Sequence, residues 1–155
     1  MTPDCPYILT APEPARPLLR ACLAYLGMRE TDVPNAVPGL TEDNPRPWCA
    51  ALASRVLRDC GVPVAGSDSA RELLRQLGEA GFSVAHDGDL LPGDVVGWRR
   101  VDAAGGIIGA HVGIVLAVAD DGIDVWAGNS GPHSRRVAIT VVPAERVEWA
   151  ARPMR

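Results

Sequence analysis

The 155-residue sequence contains no lysine, so all of its 15 basic residues are arginines. They are outnumbered by 19 acidic residues, which leaves a formal net charge of -4. Nucleic-acid binding needs a clustered cationic surface, and the only adjacent basic pairs are Arg99-Arg100 and Arg135-Arg136. The composition therefore gives no reason to expect a nucleic-acid partner.

Long apolar runs are also missing from the sequence. No stretch approaches the roughly 20 apolar residues that a membrane-spanning helix needs. The N-terminal region carries Asp4, Glu13 and several prolines where a signal peptide would have an apolar core. We therefore expect no membrane span and synthesis in the cytoplasm without a signal peptide. Action outside the cytoplasm would follow delivery by another system.

The four cysteines are Cys5, Cys22, Cys49 and Cys60, and they include no C-x-x-C pair. They also have no histidine at the spacing of a zinc site, so we expect neither a metal nor an organic cofactor. Cys22 and Cys60 fall on apolar helix faces and are interpreted as small core residues. A disulfide between them is left open.

Hydrophobic periodicity predicts helices first and strands afterwards. Helices are expected over about 14–28, from about Pro47 to Gly61, and from caps at 67–69 to about Gly81. Short strands follow at 82–86, 94–101, 107–119, 123–128 and 136–142, and Asp120-Asp121-Gly122 predicts a hairpin turn. This order indicates an α+β fold. The length predicts one domain over residues 1–155, with an extended arm at 1–13 and a core at about 14–152.

Cys49 is the most informative residue, because it follows the proline-rich loop Pro45-Arg46-Pro47-Trp48 at the start of a helical pattern. The N–H groups of a helix start favour a thiolate, which is the nucleophilic form of cysteine. Downstream, His111 lies in one strand-like run and Asn129 follows the next. Each residue alone is more often structural, but the three in this order predict a thiol hydrolase with an amide that orients the histidine.

Four sequence blocks resemble the CHAP and NlpC-type cysteine peptidases, which are peptidoglycan hydrolases of bacteria and phages with a papain-like α+β core. The blocks are Trp48-Cys49-Ala50-Ala51, Leu91-Pro92-Gly93-Asp94-Val95-Val96, His111-Val112-Gly113-Ile114-Val115 and Ala127-Gly128-Asn129-Ser130. The resemblance implies that Cys49 is the nucleophile, His111 the general base and Asn129 the orienting residue. The sequence departs from the pattern at Leu52, where an aromatic is common, and at Ala127 and Ser130, which replace Gly and Gln.

The resemblance implies a cysteine amidase or endopeptidase that cleaves an amide bond in the stem or cross-link peptide of peptidoglycan. The substrate-binding candidates are Trp48, Trp126, Ser130 and His133. Trp98 could line the same groove, and core or rim packing is the alternative for all three tryptophans. Asp94 is expected to anchor the start of its strand.

Several biological settings remain open at this point. One is an injected antibacterial effector, which would have an immunity protein or a secretion-machine component as a partner. Others are a phage lysin, a catalytic domain cut from a larger protein, a cytoplasmic thiol hydrolase, and a catalytically inactive binding domain on the same scaffold.

Overall fold

Four helices precede a five-stranded antiparallel sheet in the part of the chain that the computed structural model describes, residues 5–29, 32, 48–84, 89–101, 103–130 and 136–154. The helices are α1 (Pro6–Thr10), α2 (Arg16–Ala24), α3 (Cys49–Asp59) and α4 (Ala70–Glu79), with 3-10 turns at Glu13–Ala15 and Ala144–Arg146. The strands are β1 (Val95–Val101), β2 (Ile107–Ala119), β3 (Gly122–Ser130), β4 (Arg136–Val142) and β5 (Trp149–Ala151). This arrangement confirms the predicted α+β class.

The helix predictions are most accurate where the capping residue directly precedes the helix in the sequence. Ser69 caps α4 by accepting a hydrogen bond from the Glu72 N–H, as its position predicts. Helix α3 begins at Cys49, and Pro47 lies outside the described residues. The predicted extended arm is wrong for Pro6–Thr10, which form α1. Pro6 suits a first-turn position, and burial of Ile8 holds the short helix against the core.

The sheet order is β4-β3-β2-β1-β5, and neighbouring strands are antiparallel. The predicted hairpin is confirmed, because the β2–β3 ladder closes at Ala119 and Gly122. Gly122 has a φ of 148°, which favours glycine at the turn. In the described part of the predicted strand at 82–86, Ser83 makes an isolated bridge to Ala151 in place of a strand. Strand β5 was not predicted, because three residues are too few to show a period of two.

The two faces of the sheet are packed differently. On one face the helices and strand residues such as Val112, Ile114 and Leu116 form the helix-side core. The other face carries a back cluster made only of strand and loop residues: Leu90, Val96, Trp98, Val115, Ile123, Val125, Val142, Val147 and Ala150. Because side chains alternate along a strand, each residue of β2 up to Val115 can be assigned to one face.

Candidate functional site

Cys49 is the first residue of α3, with a side chain that is 1% exposed within the helix-side core. The first turn, Cys49-Ala50-Ala51-Leu52, carries no acidic residue that would offset the positive end of the helix dipole. Backbone N–H groups at a helix start stabilise a nearby anion. The structure places Cys49 at a helix start, as the sequence predicts.

The start of α3 rests on β3 through Trp48. A Cβ atom added at Gly128 would lie 2.6 Å from Cζ3 and 2.7 Å from Cε3 of Trp48, and 3.5 Å from Cδ2 of Leu52. Only a residue without a side chain allows the indole to approach this closely. Gly128 thus lets the start of α3 pack closely against the strand that carries Asn129, a role that the sequence alone does not reveal.

His111 lies within β2, directly opposite Trp98 of β1. Its side chain is 2% exposed, and its ring centroid lies 4.9 Å from that of Trp98 at an interplanar angle of 58°. Alternation along β2 puts Val112 on the face covered by α3 and His111 on the face of the back cluster.

Asn129 lies on β3, the neighbour of the strand that carries His111. An added Cβ at Gly113 would be 3.3 Å from the Cβ of Ala127, so these two residues are neighbours across β2 and β3. His111 and Asn129 lie two residues further along their strands, and β3 shifts its register against β4 between Ala127 and Ser130. The backbone of β3 includes Asn129, but its side chain lies outside the described residues.

The pairing between β2 and β3 ends close to these residues. The β2–β3 ladder runs from the turn to Ile114 and Trp126. Beyond that pair, β2 continues on β1 as far as Ile107, and β3 continues on β4 as far as Ser130. The β2–β3 ladder therefore stops before it reaches His111 and Asn129, near the start of α3.

The structure brings Cys49, His111 and Asn129 to this one end of the sheet, on three different elements. Cys49 approaches from the helix side, whereas His111 shares the opposite face with Trp98. The side chains of Cys49 and His111 can therefore react with each other only where the β2–β3 ladder has ended. A continuous ladder would place the strand backbone between them.

The substrate-binding candidates are not brought together in the same way. Trp48 is 2% exposed and Trp126 is 0% exposed, and both belong to the helix-side core. Their placement is that of packing residues, so the prediction that they line a substrate groove is corrected for both. Ser130 ends β3 with its backbone paired to Arg136, while its side chain and the whole of His133 lie outside the described residues.

Asp94 anchors the start of β1, as predicted. Its buried carboxylate accepts a hydrogen bond of 2.8 Å from the Leu91 N–H. Nε of Arg152 donates to Oδ1 at 2.8 Å and Nη2 donates to Oδ2 at 3.0 Å, and this pairing raises the pKa of Arg152. The Asp94 backbone carbonyl accepts a hydrogen bond from the Val115 N–H, directly before β1 begins. Asp94 is therefore structural, and its partner Arg152 is a residue that sequence reasoning missed.

A cavity of about 520 Å³ lies away from Cys49, between α4, β1 and β5. Leu74, Trp149 and Ala150 contribute apolar surface, and Arg71, Arg75, Arg99 and Glu148 contribute charge. Arg99 Nε lies 2.9 Å from Glu148 Oε2. The cavity has the size of a ligand site, but its lining residues include no cysteine or histidine, so we take the end of the sheet with Cys49 as the candidate active site.

Among the described residues, no helix is long and apolar enough to cross a membrane, and no group of three or more His, Cys, Asp or Glu side chains is arranged to hold a metal ion. The chain matches no protein-family model, and no curated protein or solved structure is significantly similar to it.

Proposed function

We propose that this protein is a cysteine hydrolase with a papain-like arrangement that cleaves an amide bond in the peptide part of peptidoglycan. The observation that carries the proposal is the position of Cys49. It is the first residue of a helix whose start rests on Gly128, at the end of the sheet where the β2–β3 ladder stops. His111 and Asn129 each lie three residues beyond the last pair of that ladder, on β2 and β3.

This arrangement supports acyl transfer in two steps. The Cys49 thiolate attacks the scissile carbonyl carbon, and the Cys49 backbone N–H, at the helix start, donates to the developing oxyanion. His111, as imidazolium, gives its proton to the leaving amine, so that the C–N bond breaks and an acyl-thioester remains. A water molecule, deprotonated by His111, then hydrolyses the thioester and restores the thiol. In this scheme Asn129 orients the imidazole.

The substrate class rests on the resemblance of four sequence blocks to CHAP and NlpC-type enzymes, and the geometry is consistent with it. The nucleophile's block starts a helix, the histidine's block lies on an inner strand, and the asparagine's block follows on the next strand. An antibacterial effector delivered by another system, with an immunity protein as its partner, is the setting that we favour.

Digestion of purified sacculi tests the proposal. The wild type should release soluble muropeptides whose masses identify the cleaved amide bond, and Cys49→Ala should release none. Cys60→Ala is the matched control, since Cys60 lies at the other end of α3 and should be dispensable. Release that survives Cys49→Ala, or intact sacculi with a folded wild type, would contradict the proposal.

The cavity favours a second candidate function, a catalytically inactive domain that binds an acidic ligand. Three arginines surround an apolar floor there, and guanidinium groups recognise carboxylates well. In that case the wild type should pellet with sacculi without cleaving them, and Arg71→Glu should reduce pelleting while Cys49→Ala leaves it unchanged. Cleavage by the wild type decides against this alternative.

A further inference from the structure

The contact between Trp98 and His111 has a consequence for the chemistry at His111. The two residues face each other across the β1–β2 ladder, and their ring centroids are 4.9 Å apart with an angle of 58°. This is a tilted aromatic contact within the distance range of favourable ring pairs. Both side chains are almost fully buried, at 7% and 2% exposure.

Trp98 is itself held firmly. It belongs to the back cluster, in which Val96, Val147 and Ala150 are buried around the same face of β1. A side chain packed in this way keeps one rotamer. The indole is therefore a fixed wall beside the imidazole of His111.

We propose that Trp98 is a positioning residue for His111, and that its indole ring holds the imidazole in the rotamer from which it exchanges a proton with Cys49 and the leaving amine. The proposal rests on the proposed role of His111 as the base. It explains why an aromatic side chain stands opposite His111, on the face of the sheet away from the helices. Loss of the ring would leave the nucleophile intact but let the base move.

The test compares Trp98→Leu, Trp98→Phe and Val96→Ala with the wild type. Val96→Ala is the matched control, because Val96 is buried in the same cluster, on the same strand and face, but does not contact His111 through an aromatic ring. Three readouts are needed: kcat and KM on muropeptides, the rate of Cys49 alkylation by iodoacetamide, and the ring cross-peaks in NMR spectra of histidine-labelled protein. The chain has only 3 histidines, so a His111→Gln spectrum assigns the relevant peak.

We expect Trp98→Leu to lower kcat roughly 10- to 100-fold, as small misplacements of a catalytic group do, with KM nearly unchanged and with slower alkylation of Cys49. Its His111 cross-peak should move, because the ring current of the indole is lost. Trp98→Phe should restore most of kcat, and Val96→Ala should lower the melting temperature without lowering kcat in the folded protein.

Three results would overturn the proposal: a wild-type kcat in Trp98→Leu, an equal loss of kcat in Val96→Ala, or a His111 cross-peak that does not move. Failure of the proposed function looks different. A wild type that leaves muropeptides intact contradicts the substrate assignment, whereas the alkylation rate and the NMR spectra still decide whether Trp98 positions His111.

Discussion

At the scale of single residues, the cysteines differ in their surroundings. Burial, followed by the effect of Cys60, raises the pKa of the Cys22 thiol well above its usual value. Burial and then Asp59 raise the pKa of Cys60. A raised thiol pKa means that the neutral form persists at neutral pH. Cys49 is buried as well, but it lies at a helix start, where an anion is stabilised.

This difference predicts the order of alkylation. At pH 7, iodoacetamide should modify Cys49 before Cys22 and Cys60, because the thiolate is the reacting form. As pH rises toward 10, the rate at Cys60 should increase steeply, since its raised pKa delays ionisation. Peptide mapping by mass spectrometry at a series of pH values measures these rates. Equal rates at Cys49 and Cys60 at pH 7 would contradict an activated Cys49.

The two partners of Cys49 should differ in their contribution to catalysis. His111→Ala should be close to inactive, because general acid–base transfer contributes about 10²–10⁴-fold. Asn129→Ala should be impaired but measurably active, because an orienting amide affects geometry and not the proton transfer itself. Steady-state rates on defined muropeptides, with melting curves to confirm folding, test both. A greater loss in Asn129→Ala would reverse the assigned roles.

The sequence predicted residues whose roles are local and missed those whose partners are distant. The anchoring role of Asp94 follows from its place at a strand start, but Arg152, which pairs with it, is 58 residues away. The contacts of Trp98 with His111 and of Trp48 with Gly128 likewise depend on the pairing of strands and helices. Trp126 was assigned to a groove because residue type alone does not distinguish a buried indole from an exposed one.

At the scale of elements, the contact between Trp48 and Gly128 positions the start of α3 against β3. Gly128→Ala would place a methyl group 2.6 Å from the Trp48 ring, so the ring and the start of α3 must shift. Overpacking of this kind costs about 1–3 kcal/mol of folding free energy. The loss of activity should be larger than unfolding alone explains, because Cys49 directly follows the displaced Trp48. Chemical denaturation and muropeptide turnover measure the two effects.

A second substitution provides the control for that prediction. Trp48→Phe removes the ring atoms that an alanine at 128 would strike, so the double variant should recover part of the stability that Gly128→Ala loses. Additive losses in the double variant would mean that the two side chains do not interact.

A side-chain hydrogen bond joins helix α1 to β3. The Tyr7 hydroxyl donates a 2.8 Å hydrogen bond to Oδ2 of Asp124, and this bond, followed by burial and the charge of Asp124, raises the pKa of Tyr7 above 10.0. A raised pKa stabilises the fold below the ordinary value, and this contribution is lost as pH rises through the pKa of the folded state. Tyr7→Phe should therefore cost about 0.5–1.5 kcal/mol near neutral pH, and the difference from wild type should shrink above pH 10. Denaturation at pH 7 to 11 measures it; a difference that grows with pH would refute the assignment.

Elements were predictable in proportion to their length and to the clarity of their boundaries. Strands β2 and β4 have the predicted bounds, since long period-two runs between turn residues leave little choice of register. Helix α1 and strand β5 have only 5 and 3 residues, and they form because a tertiary surface is available to them. No local pattern can indicate that surface.

At the scale of the whole molecule, the α+β class follows from the order of helices and strands. The point at which the β2–β3 ladder ends does not follow from that order. The sequence predicts that β2 and β3 form a hairpin, and it gives no sign that their ladder stops at Ile114 and Trp126. The end of this ladder is decisive for the proposed chemistry, because Cys49 lies on the helix side of the sheet and the His111 side chain lies on the opposite face. A hydrolase built in this way should act in any compartment that contains its substrate. The compartment in which the protein is toxic therefore tests which substrate it cleaves.

Peptidoglycan lies outside the inner membrane of a Gram-negative cell, so the site of expression should decide toxicity. The wild type expressed in the cytoplasm should be tolerated, whereas the wild type fused to an export signal should lyse the cells. The exported Cys49→Ala variant should be harmless, and the exported Cys60→Ala variant should lyse cells as the wild type does, which separates loss of the nucleophile from loss of any thiol. Culture density and microscopy after induction distinguish the four strains, with immunoblots to confirm equal export. Toxicity in the cytoplasm would point to an intracellular substrate. A well-exported wild type without effect would favour the binding domain over the hydrolase, because a wall-binding protein that leaves every amide bond intact does not weaken the wall.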